Sequence, residues 1–381
     1  MIDILHSGFD GLTFTVSTDI PPDFAQELAS AKAFAWETRA ECILDLGKIK
    51  LSVTATGARG FTCHTGDLGA VWLIQDPENP IPNNPMIKVD FRAMGLALHG
   101  LDGAEEHFRD CMEAFEIPYV ETQLRVSRVD FAVDVLAPWF EPSREALVVP
   151  AHTKVSELTG VDETETLASS NRVTGLRAGA IANRQLAIYD KRLEVMQKKN
   201  AGWLTIWNQA RRDVGQPELD LKDRFASQIW RFEMRLGSKQ LRNRYEMRSW
   251  QDLRETIGDA LNEFFEKIRY CTPTGDTNRA RWPVQPIWRA VRDRVAENLL
   301  EHRTGVEPSN VIYANKFEKW RQFDTQLLGY FVSRAALSDV KPDDFEEFML
   351  QHVQPLARMS KEHPKPIEER FDKVRRRYRL W

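Results

Sequence analysis

The amino-acid sequence predicts an α+β fold in which strands and helices mix first and helices alone follow. Three observations support this. Short runs of alternating apolar and polar residues, the pattern of half-buried strands, recur as far as residue 236. After residue 249 apolar residues recur at helical spacing instead. Between the two helical stretches, residues 271–286 (CTPTGDTNRARWPVQP) are rich in Pro, Gly and charge and read as a linker. The chain then divides into a domain over 1–270 and an α-helical C-terminal domain over 287–381 with a basic tail.

Residues 11–17 (LTFTVST) alternate and read as a strand, and 22–36, after Pro21 and Pro22, as a helix. Strands are expected near 43–56, 60–64, 70–75 and 86–91, with Gly57, Gly60, Gly66 and Gly69 marking turns and 78–85 (ENPIPNNP) a loop. Phe108, Met112 and Phe115 give 102–116 a helical stripe. Residues 124–136 (LRVSRVDFAVDVL) are the clearest strand. The polar, acidic stretch 151–170 reads as a loop. Strand 184–190 runs into a helix over 191–212, strand 228–236 follows, and Trp250, Leu253, Ile257, Leu261, Phe264 and Phe265 make one apolar stripe on a helix over 249–268. Further helices are expected near 287–303, 309–334 and 342–352.

The composition limits the function classes. No apolar run approaches the roughly 18 residues that span a bilayer, and the segment MIDILHSGFDGLTF lacks the basic and apolar regions of a signal peptide. Cys42, Cys63, Cys111 and Cys271 form no CxxC pair, which fits a reducing cytoplasm and argues against a cysteine zinc site. No HxH, HxxxH or HExxH occurs, so a metal would fall to carboxylates and be a hard cation. No Walker spacing or GKT/GKS occurs, which argues against ATP use. The net charge of −4 hides an asymmetry: residues 1–170 carry 12 Lys and Arg against 27 Asp and Glu, whereas 171–260 carry 18 against 11. A basic second half is either the footprint of a polyanion or a solvated surface.

Three strands carry chemistry. Side chains alternate between faces along a strand. One face of 128–135 presents Arg128, Asp130, Ala132 and Asp134; one face of 185–191 presents Gln185, Ala187, Tyr189 and Lys191; one face of 230–236 presents Arg231, Glu233 and Arg235. The opposite faces are largely apolar. Outward polar residues on an antiparallel sheet are the plain explanation, but charged residues form strands poorly and like charges across strands need a counter-ion. A Mg2+ or Mn2+ ion on Asp130 and Glu233 would be one. A tyrosine hydroxyl is a weak nucleophile at neutral pH until a cation or base helps it ionise. Lys191 and Arg128 are suited to hold a phosphate or steady a leaving oxygen. Together these groups suggest phosphoryl transfer to Tyr189.

The strings SRVDFAVDV, RQLAIYDKRLE and WRFEMRL, in that order and spacing, with TGLRAGAI (174–181) and WLTIWNQ (203–209) between, resemble the Rep-trans class of replication initiation factors. That family comprises rolling-circle plasmid initiators and relaxases of conjugative elements. The resemblance covers residues 85–270. It implies an antiparallel-sheet nicking domain of HUH-like architecture without the histidine pair, followed here by the helical C-terminal region. It places the nucleophile on Tyr189 and the acidic metal ligands on Asp130 and Glu233, with Asp134 as a third. It implies nicking and rejoining of DNA at an origin through a 5′-phosphotyrosine, with a single strand or hairpin, a helicase and a second copy of the chain as partners.

Other residues are candidates for contact with DNA. Arg184, Arg231 and Arg235 lie on two of the three strands. Arg242, Arg244 and Arg248 are spaced to share part of a helix face and track the backbone. Trp282, in NRARWPVQ, is the best placed of the eleven tryptophans to stack on a base, whereas Trp250 and Trp288 read as core. The run 374–379 (VRRRYR) would grip phosphates or be a solvated tail. Two rival functions remain at this stage: a non-catalytic DNA-binding regulator on the same fold, and a structural protein of a mobile element.

Overall fold

The computed structural model describes residues 2–57, 59–158 and 173–377. The chain opens with β1 (Asp3–Val16) and α1 (Pro22–Thr38), followed by β2 (Cys42–Leu46), β3 (Ile49–Val53), β4 (Gly60–His64), β5 (Ala70–Gln75) and β6 (Ile87–Phe91). Next come α2 (Ala93–Ala114), β7 (Leu124–Leu136), β8 (Leu147–Val148), β9 (Val155–Leu158), β10 (Gly175–Gly179) and β11 (Arg184–Asp190). The chain continues through α3 (Lys191–Lys198), α4 (Ala201–Asp213), α5 (Arg224–Ser227), β12 (Ile229–Gly237), α6 (Ser238–Asn243), α7 (Trp250–Lys267) and β13 (Arg269–Tyr270). It ends in α8 (Pro286–Ala296), α9 (Pro308–Leu337), α10 (Phe345–Lys361) and α11 (Ile367–Arg377). The tail residues 378–381 and the stretch 159–172 lie outside the described residues.

The fold is α+β around one large antiparallel sheet. Among the described residues its strand order is β2-β3-β4-β5-β6-β1-β7-β12-β11-β10-β9. β7, β12 and β11 are therefore adjacent, although most of a hundred residues separate β7 from β12 in sequence. β1 is the seam: it pairs with β6 on one side and along nearly its whole length with β7 on the other. The β1–β7 register shifts between Phe9 and Gly11, which leaves Asp10 as the extra residue of a bulge. Bulges re-aim side chains, often beside active sites.

Alternation decides which face is covered. Phe131, Val133, Phe232, Met234, Leu186 and Ile188 all point to one face and are buried there. Aromatic residues from the covering helices lock onto this face: Trp250 of α7 stacks on Phe14 at 4.2 Å, and Trp288 of α8 lies 6.2 Å from Phe232. On the other face Trp203, Ile206 and Trp207 of α4 form a smaller cluster with Val195, Ile229, Val306 and Val311.

The expected strands and helices up to residue 270 are present, although β1 begins at Asp3 rather than near 11 and α2 at Ala93 rather than near 102, and further differences follow. β9 occupies part of the acidic stretch read as loop. The helix expected over 191–212 is two helices, because Lys199 takes a left-handed conformation (φ 51°) and ends α3. Residues 271–286 do not separate two cores. Cys271 bridges to Val284, Cys271 N donates to Ala146 O and Gln285 N to Tyr270 O, and α8 packs Trp288, Val291 and Val295 into the main core. A helical region standing clear of the sheet therefore begins only with α9, whose Val311 is buried against α4 while Trp320, Leu327 and Tyr330 farther along are exposed.

Trp250 joins α7 to both β1 and α2. Trp250→Ala is expected to cost about 3–5 kcal/mol in urea unfolding, as removal of a core aromatic does.

Candidate active site

Directly opposed residues in antiparallel strands share a face. Across β11, β12, β7 and β1 one row runs Tyr189, Arg231, Asp134, His6; the next runs Ala187, Glu233, Ala132, Gly8; the third runs Gln185, Arg235, Asp130, Gly11. Tyr189, Asp130, Glu233, Arg128, Arg235 and Lys191 all line one cavity of about 930 Å³ on this face. The rows also fix relative distances. Glu233 stands one strand over and two residues along from Tyr189, about 8 Å between backbones. Asp130 stands two strands over and four residues along, roughly 16 Å away. Glu233 is thus the carboxylate beside the tyrosine, and Asp130 marks the far end of the site.

Both carboxylates are buried and each is held by an arginine. Arg128 donates to Asp130 from Nε at 3.0 Å, with Nη2 at 2.6 Å from Oδ2. Arg235 grips Glu233 in a fork at 2.8 and 3.1 Å and donates to Gln185 at 3.0 Å. Burial and the neighbouring Glu233 push the Asp130 carboxyl up to about 7 despite Arg128. The half-buried Tyr189 has its phenol pushed well above the usual value, first by burial and then by Glu233, with Arg231 acting in the opposite sense. Lys191, almost fully buried, donates to Glu194 at 2.5 Å and lies 5.7 Å from the Tyr189 ring centre.

Two expected site residues have a different role. Asp134 was expected as a metal ligand and Arg231 as a DNA contact; both side chains are 0% exposed and bound to each other. Arg231 Nε and Nη2 donate to Asp134 at 2.6 and 2.7 Å, Trp207 Nε1 donates to the same carboxylate at 2.9 Å, and Arg231 Nη1 reaches Asp10 at 2.5 Å. The guanidinium also lies 4.2 Å over Trp203. Burial opposes ionisation of Asp134, but Arg231 outweighs it and holds the carboxyl below its usual range. This cluster is structural: neither charge is free for a metal or a phosphate.

The remaining candidates lie outside the cavity lining. Arg184 is tied to Glu263 at 3.0 Å and to Gln240 at 3.3 Å, and Arg244 to Glu263 at 2.5 Å. Arg242 and Arg248 are exposed, but α6 ends at Asn243, so Arg242, Arg244 and Arg248 do not share a helix face. Trp282 is only 8% exposed, with Nε1 donating to Asp276 O at 2.8 Å and Arg279 over its ring, so it offers no stacking face.

Several residues of the site carried no sequence signal. Asp10 reaches it through the bulge. Gly11 lies opposite Asp130, and a Cβ there would come within 2.6 Å of Asp130 Oδ2, so only glycine leaves that carboxylate in place. Lys199, Asn315 and Lys319 line the cavity from helices the strands do not announce.

No family model matches the chain, and no curated protein matches it. Among solved structures it is similar to the rolling circle replication initiator protein from Geobacillus stearothermophilus, with 13% identity over 79% of this chain and 99% of that one and a TM-score of 0.41.

Asp134→Asn strips Arg231 of its buried counter-charge and is expected to cost about 3–5 kcal/mol, whereas Asp130→Asn, which removes a poorly solvated charge, leaves stability unchanged or raised. Urea unfolding of the two variants checks this contrast. His6, buried beside Asp134, Arg231, Asp10 and His302, has its pKa lowered from 6.5 to about 4, chiefly by burial. The unfolded chain then takes up a proton that the folded one refuses. Stability should fall as pH drops through that window, by about 3 kcal/mol in total, and His6→Gln should flatten the acid limb of the melting-temperature profile.

Proposed function

We propose that the protein is a DNA strand-nicking and rejoining enzyme, a replication initiator or relaxase of a mobile element, with Tyr189 as nucleophile. The observation that carries this reading is the convergence of Tyr189, Glu233, Asp130 and two arginines on one cavity from three adjacent strands. Attack of Tyr189 Oη on a phosphodiester forms the P–Oη bond and breaks the P–O3′ bond. The phenolic proton is handed to the carboxylate side of the site, and the departing 3′ oxygen is protonated in turn. The covalent phosphotyrosine conserves the phosphodiester energy, so reversal rejoins the strand without ATP.

The donor set fits a hard divalent cation. Asp130 and Glu233 supply two carboxylates, and Mg2+ commonly binds through one or two carboxylates together with substrate phosphate oxygens. Among the described residues no cluster of three or more ligating side chains forms. Mg2+ or Mn2+ held there would neutralise charge on the phosphate and ease ionisation of a phenol that burial otherwise keeps protonated. Arg128 and Arg235 pair with the two carboxylates, and in this reading a bound cation would release them toward the phosphate. In this reading the substrate is an origin strand, and the family's helicase and second copy of the chain act beside it.

A non-catalytic DNA-binding regulator is the second reading. The arginine forks on both carboxylates and the raised Tyr189 pKa favour it, since they describe a site at rest. The two readings separate on one gel. Incubated with Mn2+ and supercoiled DNA carrying its own gene neighbourhood, the wild-type protein should convert it to nicked circle and leave an SDS-stable protein–DNA adduct. Tyr189→Phe should abolish the adduct, and Glu233→Gln should lower nicking at least about 100-fold, the scale of losing one electrostatic stabiliser. Tyr189→Phe nicking as well as wild type overturns the mechanism.

A further inference from the structure

The cavity has a lip that the strand chemistry does not use. The turn between α3 and α4 contributes Lys199, and the first half of α9 contributes Asn315 and Lys319. These elements are fixed to each other. Asn315 Oδ1 accepts from Gly202 N at 3.0 Å, and Val311 is buried against α4. Gly202 permits the contact, because a Cβ there would come within 2.8 Å of Val311. The charges around the cavity are unequal in their freedom. Asp10, Asp90, Asp130, Glu194 and Glu233 are each ion-paired, and only Asp67, exposed among the lining carboxylates, has no such partner among the described residues. Lys199 and Lys319 are exposed and pair with no carboxylate among the described residues. Two free ammonium groups thus flank a cavity whose floor holds its negative charge already neutralised.

We infer that Lys199 and Lys319 form a phosphate clamp that holds the backbone of an unpaired DNA strand beside Tyr189, and that this is the function of the inner part of α9. The inference rests on the nicking reading and names how its substrate is held. An unpaired strand is the occupant that fits. Cavities of about 300–1,000 Å³ accommodate drug-sized molecules, and at about 930 Å³ this one takes a short stretch of one strand. Lysine suits the role as a flexible point charge that follows a phosphate without demanding one geometry.

The test uses the full chain carrying Tyr189→Phe, so that no reaction intervenes, and a fluorescent unpaired oligodeoxynucleotide. Binding is followed by anisotropy across a series of NaCl concentrations. Lys199→Asn keeps a residue tolerant of the left-handed backbone, and Lys319→Gln keeps a helix former. The slope of log K against log salt should fall by about 0.7 for each lysine removed, the value for one phosphate contact on a single strand. Lys50→Gln, on β3 near the far edge of the sheet, should leave the slope unchanged. An unchanged slope in the Lys199/Lys319 variant, or an equal fall in the Lys50 control, overturns the clamp and leaves the nicking reading standing. Absence of any binding by the parent chain overturns the nicking reading and the clamp with it.

Discussion

The Arg231 guanidinium sits without solvent at the crossing of four elements. Its own strand is β12; Asp134 comes from β7, Asp10 from the bulge of β1, and Trp203 and Trp207 from α4. Such a charge is tolerable inside a protein only when every donor is met and the counter-charges are held in place. That requirement fixes the β7–β12 register, keeps the bulge at Asp10 and docks α4 on this face of the sheet. Tyr189 lies directly across from Arg231 and inherits its position from the same lock. The site is therefore built beside a structural ion cluster, and its geometry is as rigid as that cluster.

Much of this was legible in the residues. Strand parity put Arg128, Asp130, Tyr189, Glu233 and Arg235 on polar faces, and pairing then brought those faces together. Parity could not separate the two halves of the face. Asp134 and Asp130 are four residues apart on the same side of β7, yet α4 covers the first and the cavity opens over the second. Which half is covered depends on the docking of Trp207, a long-range contact that no local pattern encodes. The same limit explains Arg231: its spacing matches that of Arg235, and only burial distinguishes a structural charge from a usable one.

Local signals misled in two further places. Residues 271–286 have the composition of a linker, but their backbone groups are spent on a β-bridge, turns and bonds to neighbouring strands, and Trp282 is folded into its own loop. Composition reports the absence of regular structure, which a well-packed loop shares with a linker. Between α3 and α4 no glycine or proline marks the break. Lys199 adopts the left-handed conformation itself, and the periodicity of 191–212 runs on across it.

That break has a chemical consequence. A continuous helix would carry Lys199 around the helix axis, whereas the turn delivers it to the cavity lip and starts α4 on the line that buries Trp203 and Trp207. One unusual backbone conformation thus serves both the ion lock and the site. The chemistry then divides between two kinds of charge. Buried charges — Arg231, Asp134, Asp10 — are fully compensated and hold the shape. The charges facing the cavity are paired but poorly solvated: burial and Glu233 raise the Asp130 carboxyl to about 7, burial raises the Tyr189 phenol, and Arg128 and Arg235 each hold one carboxylate. A site in that state has its groups assembled but its tyrosine protonated. In the proposed reading, a divalent cation arriving with a phosphate would bring positive charge to the half of the face that α4 leaves open and favour the ionised phenol.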